Sequence, residues 1–265
     1  MRITVLGSGT SVGVPMVGCE CATCRSTAPE NKRLRCSVYV EHPGGKFLID
    51  CSTDFREQAL RYKMPRIDAL LVTHPHADHI NGIDDLRVYN FRQEGAIPVY
   101  CNGETLQVLK TRFDYCFNPI QIGGGLPHLD LREVVAGRPF DLQGLEVTPI
   151  ALKHGVMDVL GFRLGRRFAY LTDCSEVPQS SLEQVRGVEV LVVDALRHTP
   201  HDTHFSLEEA LAFSRKVGAA QTWFTHISCY LEHFETNAML PPNAQLLHDG
   251  QILEIPDASG TDETV

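Results

Sequence analysis

The sequence predicts a layered α/β protein. Short apolar runs rich in β-branched residues alternate with segments of helical periodicity, and the chain contains no internal repeat, low-complexity block or convincing linker. Metal-binding residue types recur after several of the apolar runs, and layered α/β folds collect their ligands at the carboxyl ends of strands. We therefore expect one domain over residues 1–255, followed by a frayed polar tail over residues 256–265.

The predicted strands are apolar, β-branched runs bounded by turn residues. In chain order they cover residues 2–6, 36–40, 46–49, 69–73, 97–100, 145–150, 168–172, 188–193, 222–225 and 252–255. Helical periodicity predicts helices over residues 54–63, 104–112 and 206–217. The last of these helices opens with Ser206 as a capping residue and carries Glu208 and Glu209 in its first turn.

Composition excludes some classes of protein. A chain of 265 residues with 43% hydrophobic content can bury one large core, and a net charge of -9 argues against a large basic surface that grips duplex nucleic acid. A small anionic substrate is compatible with this charge, because a site that binds divalent metal ions can be locally positive in a chain of negative net charge. No stretch is long enough to span a membrane, and the N-terminus reads as a strand instead of a signal peptide. We expect a cytoplasmic protein.

The most informative segment is His74-Pro75-His76-Ala77-Asp78-His79, which directly follows an apolar run over residues 67–72. Neutral imidazoles together with a carboxylate suit zinc, manganese or iron. On a turn after a strand, the first two histidines can face one ion while the aspartate and the third histidine face a second. A solvated polar turn would not explain three histidines and a carboxylate within six residues, so the segment predicts a metal site.

Three later residues could complete that site. Asp173 follows the predicted strand over 168–172, His226 follows the strand over 222–225, and His154 lies four residues beyond Ile150. Individually these are weak signals, because a lone histidine is more often a structural residue. The order in which they occur together is more informative. With the four residues of the first segment they give seven candidate ligands, which is enough for two ions.

The cysteines suggest a second metal site. Cys19, Cys21 and Cys24 form a tight C-x-C-x-x-C cluster, too close together to pair easily as disulfides but able to occupy three corners of a tetrahedral zinc site. Cys229 is the candidate for the fourth ligand. The alternative is a group of free buried cysteines that happen to be neighbours. The remaining cysteines are interpreted as small apolar core residues: Cys36, Cys51, Cys101, Cys116 and Cys174.

The order H-x-H-x-D-H, then His, then Asp, then His resembles the metallo-β-lactamase superfamily, and all seven positions are filled. The resemblance implies a four-layer αββα sandwich with a dinuclear site at one edge of the two sheets. It implies that one metal is bound by His74, His76 and His154, that the other is bound by Asp78, His79 and His226, and that Asp173 bridges them.

The resemblance also assigns supporting roles. Asp50, after the strand over 46–49, matches a family position that accepts a hydrogen bond from a ligand and fixes its orientation. A strand-end carboxylate that caps the following turn is nearly as good an interpretation. Arg56 and Arg87 could reach a substrate phosphate, although arginines on the surface of a helix are commoner.

Within the superfamily, the closer resemblance is to bacterial phosphodiesterases that act on cyclic phosphoribosyl compounds in the carbon-phosphorus lyase pathway, and more distantly to ribonuclease Z. The glycine loop over residues 6–15 and the cysteine cluster after it look like that family's opening segment. The family completes its zinc cluster with a histidine three positions past the ligand that matches His226. Cys229 takes that position here, which implies a site of four thiolates.

The resemblance also implies a catalytic acid. In the segment from Asp202 to Leu207, His204 matches the histidine taken to protonate the leaving group in related phosphodiesterases. The alternative is a surface loop histidine, which also describes His198 and His201. Asp78 counts as catalytic as well as a ligand.

The leading hypothesis is a phosphodiesterase that uses two divalent ions (Mn, Zn or Fe) and a metal-bridging hydroxide on a small cyclic or nucleotide-like phosphodiester, with one structural zinc elsewhere. Alternatives are a thioesterase of the glyoxalase II type, a transfer-RNA 3′-processing nuclease, and a non-catalytic carrier like the pyrroloquinoline quinone biosynthesis B protein. Residues 87–94 and 121–138 are the predicted specificity loops, and the glycine-rich stretch 121–139 is expected to form a loop or hairpin over the site. A homodimer is common among relatives.

Overall fold

The computed structural model describes residues 1–120 and 125–256. Within these ranges the strands form two mixed sheets of seven strands each. The first six strands are β1 (Arg2–Gly7), β2 (Ser37–His42), β3 (Gly45–Ile49), β4 (Ala69–Leu71), β5 (Ile97–Cys101) and β6 (Leu129–Glu133). The next seven, which form the second sheet, are β7 (Phe140–Leu142), β8 (Leu145–His154), β9 (Met157–Leu164), β10 (Phe168–Leu171), β11 (Val190–Asp194), β12 (Gln221–Thr225) and β13 (Ala244–Leu246). The last strand, β14 (Ile252–Glu254), returns to the first sheet beside β1.

Each sheet has an antiparallel half and a parallel half. In the first sheet, β14, β1, β2 and β3 pair antiparallel, whereas β3, β4, β5 and β6 run parallel. In the second sheet, β7 to β10 pair antiparallel and β10 to β13 run parallel. The carboxyl ends of parallel neighbours meet at the same edge of a sheet, so each sheet offers one edge where residues distant in sequence converge.

Helices cover the outer faces of the sheets. In chain order they are α1 (Ala22–Arg25), α2 (Phe55–Arg61), α3 (Ala77–Ile80), α4 (Arg87–Gln93), α5 (Gly103–Arg112), α6 (Asp114–Phe117), α7 (Gln179–Val185), α8 (Leu207–Val217) and α9 (His233–Met239). Two short 3₁₀ helices span Pro29–Asn31 and Ile83–Leu86. In the described part of the chain, no helix combines the length and apolarity required to cross a membrane.

Three apolar layers separate these four layers of secondary structure. Because successive strand residues point to opposite faces, Phe47 and Ile49 pack between the sheets while Leu48 packs under the helices of the first sheet. In the second sheet, Tyr170 packs between the sheets and Leu171 packs under the helices on the far side. The αββα sandwich that the sequence predicts is therefore the observed fold.

The ten predicted strands and three predicted helices all occur, with ends that differ by a few residues. The strand predicted over 145–150 continues to His154, so this candidate ligand lies on β8 itself. The loop prediction for residues 121–139 is wrong over Leu129–Glu133, which pairs with β5 as an edge strand through its backbone. Residues 121–124 of that segment and 257–265 of the predicted tail lie outside the described residues.

The prediction of a loop over residues 87–94 is also wrong. Residues Arg87–Gln93 form α4, which buries Tyr89 and Asn90 against the first sheet. Asn90 donates hydrogen bonds to the carbonyl oxygens of Gly95 (2.8 Å) and His128 (2.9 Å), and so ties the helix to the segment that leads into β6. The contact with His128 is long-range, and local sequence patterns do not reveal it.

Candidate metal centre

The candidate ligands follow strands that end at one edge of the sandwich. Asp50 follows β3, His74 lies three residues past β4, Asp173 lies two residues past β10, and His226 follows β12. Three of these residues have left-handed backbone conformations, with φ of 60° at Asp50, 54° at Asp173 and 57° at His226. Aspartate and histidine tolerate this region better than most residues, and such backbone conformations cluster at functional sites.

A one-turn helix presents the remaining ligands of the first segment. His76 precedes α3, and Asp78 and His79 lie within it. The backbone N–H of His79 donates to the carbonyl oxygen of His76 (3.0 Å), and the carbonyl oxygen of His79 accepts from the N–H of Cys51 (2.7 Å). The second contact docks α3 on the residue that follows Asp50, so the chain segments after β3 and β4 are fixed to one another.

His74, His76 and His154 form the first set of ligands. Their ring nitrogens lie within 4.8 Å of one another, and His74 Nε2 is 2.9 Å from His76 Nδ1. Burial lowers the pKa of all three imidazoles, which favours the neutral form that binds metals. His154 Nδ1 donates to the carbonyl oxygen of Thr203 (2.7 Å), which leaves Nε2 as the nitrogen available to an ion.

Asp78, His79, Asp173 and His226 form the second set. His79 Nε2 lies 3.2 Å from Asp78 Oδ2, and His226 Nε2 lies 3.1 Å from Asp173 Oδ1. Both nitrogens are buried, yet neither makes a hydrogen bond of acceptable geometry within the described residues. Ligand atoms on one tetrahedral ion, each about 2.1 Å from it, lie roughly 3.4 Å apart. The spacing and the orphaned nitrogens therefore fit a metal ion.

Asp173 lies between the two sets. Its Oδ1 is 3.9 Å from His74 Nε2 in the first set, and its Oδ2 is 3.4 Å from His79 Nε2 in the second. Burial would raise the pKa of Asp173, but the adjacent His226 and His79 hold it well below its usual range. An ionised carboxylate in contact with both sets is placed to serve two ions.

The centre as a whole attracts positive charge. Burial by itself would lower the pKa of His79 and His226. Neighbouring carboxylates outweigh it, with Asp173 the most important. They raise the pKa of His79 well above its usual range and the pKa of His226 to about 9. Asp50, Asp78 and Asp173 are all buried. Such a cluster takes up cations, whether protons on these two imidazoles or metal ions in their place.

Asp50 orients a ligand in each set. Its Oδ2 accepts from His79 Nδ1 (2.7 Å) and from the hydroxyl of Thr73 (2.8 Å), and its Oδ1 accepts from the N–H of Thr73 (2.8 Å). That hydroxyl in turn lies 3.0 Å from His74 Nδ1. These hydrogen bonds support the interpretation that Asp50 fixes imidazole orientation. They do not support a cap for the turn directly after β3, because the carboxylate instead holds the turn after β4 through Thr73.

His204 lies beside the two sets and has a carboxylate partner. His204 Nδ1 donates to Asp194 Oδ2 (2.8 Å), and the ring stacks on His226 with centroids 4.6 Å apart. Its Nε2, across the ring, has no hydrogen-bond partner among the residues described, and the side chain is 10% exposed. The arrangement leaves one nitrogen of a positioned imidazole free to exchange a proton with a ligand.

Sequence reasoning missed Asp194. It is the last residue of β11 and is fully buried, and its Oδ2 also accepts from the N–H of Cys174 (3.0 Å). The available signal was the one that identified Asp173, a carboxylate at the end of a buried parallel strand. The predicted strand over 188–193 ends one residue before Asp194, so this carboxylate was not among the candidates.

Arg56 and Arg87 both lie on helices, which is the commoner alternative that the sequence offered for them. Arg87 donates to Asp84 and to the carbonyl oxygen of Gly125 (3.1 Å), so its guanidinium is occupied. Arg56 lies on α2 and makes no contact with the ligand sets. Arg112, which the sequence analysis did not consider, donates from Nη1 to the carbonyl oxygen of Pro75 (3.0 Å), between two of the ligands.

The structure brings the four candidate zinc cysteines together. The sulfur atoms of Cys19, Cys21, Cys24 and Cys229 lie within 4.8 Å of one another. The N–H of Cys24 donates to Cys21 Sγ (3.4 Å), and this hydrogen bond is the main cause of a Cys21 pKa lowered to about 7. Four sulfurs at this spacing, one of them an acidic thiol, suit a tetrahedral zinc site.

The glycine loop pairs with the segment that carries His226. The N–H of Thr10 donates to the carbonyl oxygen of Ile227 (3.1 Å), and the N–H of Ile227 donates to that of Ser8 (2.9 Å). A Cβ atom on Gly9 would lie 2.9 Å from the carbonyl oxygen of Arg33, so the close approach requires glycine. The loop therefore packs against the segment that carries His226 and braces the centre.

The chain is similar to known proteins over most of its length. The model of the β-lactamase superfamily domain matches residues 45–227, a range that contains all seven candidate ligands of the two sets. A crystal structure of a new diphosphatase from the PhnP family has 44% sequence identity and a TM-score of 0.89, and the match covers 96% of this chain and 98% of that one.

Two curated relatives are also informative. An octanoyltransferase from Porphyromonas gingivalis is 37% identical over 255 residues, which are 94% of this chain and 51% of that protein. The chain thus spans about half the length of this relative. A ribonuclease Z from Mycobacterium bovis is 25% identical over 257 residues, with 85% of each chain covered.

Replacing Asp50 by alanine should weaken metal binding at both sets. We expect metal affinity to fall about 10-fold to 100-fold, because His79 and His74 lose the groups that orient them. The free energy of unfolding should fall by about 1–3 kcal/mol, because buried donors of Thr73 and His79 are left without an acceptor. Metal analysis after dialysis and urea unfolding would measure the two effects. Asp158→Ala, which removes an exposed carboxylate, is the control, and an unchanged metal affinity in the Asp50 variant would restrict Asp50 to holding the turn.

Proposed function

The chain belongs to the β-lactamase superfamily as a metal-dependent hydrolase of the metallo-β-lactamase fold, and on this premise we propose that it hydrolyses a small phosphodiester. One observation carries the proposal. The imidazole of His204, held by Asp194, presents a free Nε2 beside two sets of metal-binding residues. A phosphodiesterase needs such a proton donor for a departing alkoxide, whereas a thioester releases a thiolate that does not require one.

The donor set fits two divalent ions, manganese, zinc or iron. The first set would hold one ion, Asp78, His79 and His226 would hold the other, and Asp173 would be shared. When bound, the ions lower the pKa of a bound water and neutralise charge on the phosphoryl oxygens. The four cysteines would hold a separate structural zinc that braces the loop after His226 against the N-terminal loop.

The protein side chains position groups and move one proton. Asp50 keeps the Nδ1 proton on His79 and, through Thr73, on His74, so that both rings offer Nε2. His204 gives its Nε2 proton to the leaving oxygen and becomes neutral. Asp194 accepts a hydrogen bond from Nδ1 of His204, so the Nδ1 proton stays on the ring. Its carboxylate also stabilises the imidazolium before the transfer.

A small anionic substrate fits the rest of the chain. The net charge is -9, and no lysine-rich arm is present to hold RNA, which disfavours the ribonuclease Z activity of the 25% relative. The relative at 44% identity is named a diphosphatase, so a diphosphate diester is a substrate class to test beside phosphate diesters. Arg112, bonded to the ligand segment through only one of its nitrogens, could contact an additional phosphate.

A thioesterase is the second candidate, because the relative at 37% identity is named for the transfer of an acyl group. That relative is about twice as long as the matched region, so its acyl chemistry could reside in the half that this chain does not match. A non-catalytic carrier is disfavoured, because all seven candidate ligands are present and converge.

The decisive assay compares substrate classes. Protein reconstituted with manganese or zinc is tested on bis(p-nitrophenyl) phosphate, p-nitrophenyl phosphate, a dinucleoside diphosphate and an acyl thioester, beside an Asp78→Ala control. We expect turnover of the diesters alone and its loss in the control. Turnover of the thioester alone, or of no substrate when both ligand sets are confirmed to hold an ion, would contradict the proposal.

Replacing His204 by alanine should affect substrates according to their leaving groups. On 2′,3′-cyclic AMP, which releases a sugar alkoxide, kcat should fall by about 10²-fold to 10⁴-fold with the metal content unchanged. On bis(p-nitrophenyl) phosphate the loss should be less than about 10-fold, because p-nitrophenolate leaves without a proton. Asp194→Asn should show the same preference for the good leaving group. Equal losses on both substrates would remove His204 from the role of acid.

The zinc assignment predicts a contrast between two substitutions at one position. Cys229→Ala should release one zinc per chain and lower the melting temperature, because the metal loses its fourth ligand. Cys229→His should retain the zinc, because imidazole replaces the thiolate in a site of three cysteines and one histidine. Cys116→Ala, outside the cluster, is the control for losing a cysteine. Full zinc content in the Cys229→Ala protein would place the fourth ligand elsewhere.

A further inference from the structure

We propose that a groove between α2 and α4 is a second binding site, for a small organic anion with an apolar body. The groove encloses a cavity of about 430 Å³, within the range of pockets that bind small molecules. None of the residues that line it belongs to either set of metal ligands, to the His204 pair or to the cysteine cluster. The proposal is therefore independent of the hydrolase activity.

The walls of the groove are apolar. They are formed by side chains from α2, α4 and the segment between α2 and β4, namely Phe55, Ala59, Leu60, Met64, Val88 and Tyr89. Leu60 is 63% exposed and Val88 is 43% exposed, so part of this surface faces solvent. The hydroxyl of Tyr89 donates to the carbonyl oxygen of Met64 (3.2 Å) and is therefore satisfied. An occupant would meet the ring and aliphatic surface of these residues.

The rim of the groove is cationic. Arg56, Lys63 and Arg92 line it, and Asp85 is the carboxylate among the lining residues. None of the three cations forms an ion pair or a side-chain hydrogen bond with any residue in 1–120 or 125–256. Three cations and one carboxylate give the groove a charge of +2, in a chain whose net charge is -9.

Neighbouring arginines that lie outside the groove behave differently. Each of them is paired with an acidic residue close in sequence, as in Arg61 with Glu57, Arg66 with Asp68, and Arg87 with Asp84. Among the described cations of α2, α4 and the segment between α2 and β4, the unpaired ones are thus those that line the cavity. Guanidinium groups are good partners for carboxylate, sulfonate and phosphate oxygens, so the free ones define the position of an anionic head group.

The backbone at Lys63 supports a role for its side chain. Lys63 follows the C-cap residue of α2 and has a φ of 51°, in the left-handed region. Glycine is the usual residue at this position after a helix, because a side chain is strained there. Lysine instead places a third cation at the rim.

Paired dyes test both halves of this chemistry. The aromatic sulfonate 8-anilinonaphthalene-1-sulfonate and the neutral N-phenyl-1-naphthylamine share an apolar body and differ in the anionic group. Titrated into metal-loaded protein and followed by fluorescence, the sulfonate should bind saturably at about one per chain. The neutral dye should bind at least 10-fold more weakly.

Three variants locate the site. Arg56→Gln with Arg92→Gln should weaken sulfonate binding at least 10-fold and leave the neutral dye unchanged, whereas Ala59→Trp should fill the cavity and weaken both dyes. Arg61→Gln, which removes a paired arginine from the same helix, should change neither. Melting temperatures verify that each variant is folded.

Equal binding of the two dyes would overturn the proposed anion specificity. Sulfonate binding that survives both the double variant and Ala59→Trp would place the dye elsewhere and overturn the site itself. The absence of saturable binding up to about 1 mM would do the same.

Discussion

The hydrogen bonds of the Asp50 carboxylate hold both sets of metal-binding residues in place. Asp50 is fully buried, and it contacts His79 directly and His74 through the hydroxyl of Thr73. A buried carboxylate is costly unless it is paired and hydrogen-bonded, so the chain around it must supply donors in fixed positions. The turn after β4 and the one-turn helix α3 supply them. The geometry of the candidate centre therefore depends on satisfying this buried charge.

The same requirement explains the backbone at the edge of the sandwich. Three buried aspartates, Asp50, Asp173 and Asp194, lie where strands from the two sheets end, and a fourth, Asp78, is buried in α3. Regular strand geometry would point successive side chains to opposite faces, away from a shared centre. Left-handed backbone at Asp50, Asp173 and His226, each shortly after a strand, turns these side chains inward instead. The cost of that backbone is offset by the rigid sheets behind it and by the pairing of the glycine loop with the segment after His226.

The sequence revealed residues whose chemistry is unusual for their position, and missed those whose role depends on a partner. The first ligand segment was recognisable because a solvated polar turn would not be expected to contain His74, His76, Asp78 and His79 within six residues. Asp194 was missed because the predicted strand ended one residue before it, and its hydrogen bond to His204 is visible only in the folded chain. The edge strand β6 was missed for a similar reason, since only two of its five residues are apolar and its place is fixed by backbone pairing with β5. The role of each candidate ligand was predicted from a family resemblance, whereas the fold shows that these residues converge.

The two sets differ in charge, and the difference bears on how an anion would be gripped. The first set consists of three imidazoles that burial keeps neutral, with Asp173 shared. The second contains Asp78 and the same shared carboxylate, with two imidazoles. An ion in the first set would keep more of its positive charge, since fewer carboxylates neutralise it. His204 lies beside both sets, because its ring centroid is 4.6 Å from that of His154 in the first set and 4.6 Å from that of His226 in the second. The proton donor would therefore adjoin both ions, so an anionic substrate drawn to the more positive ion would lie within reach of His204.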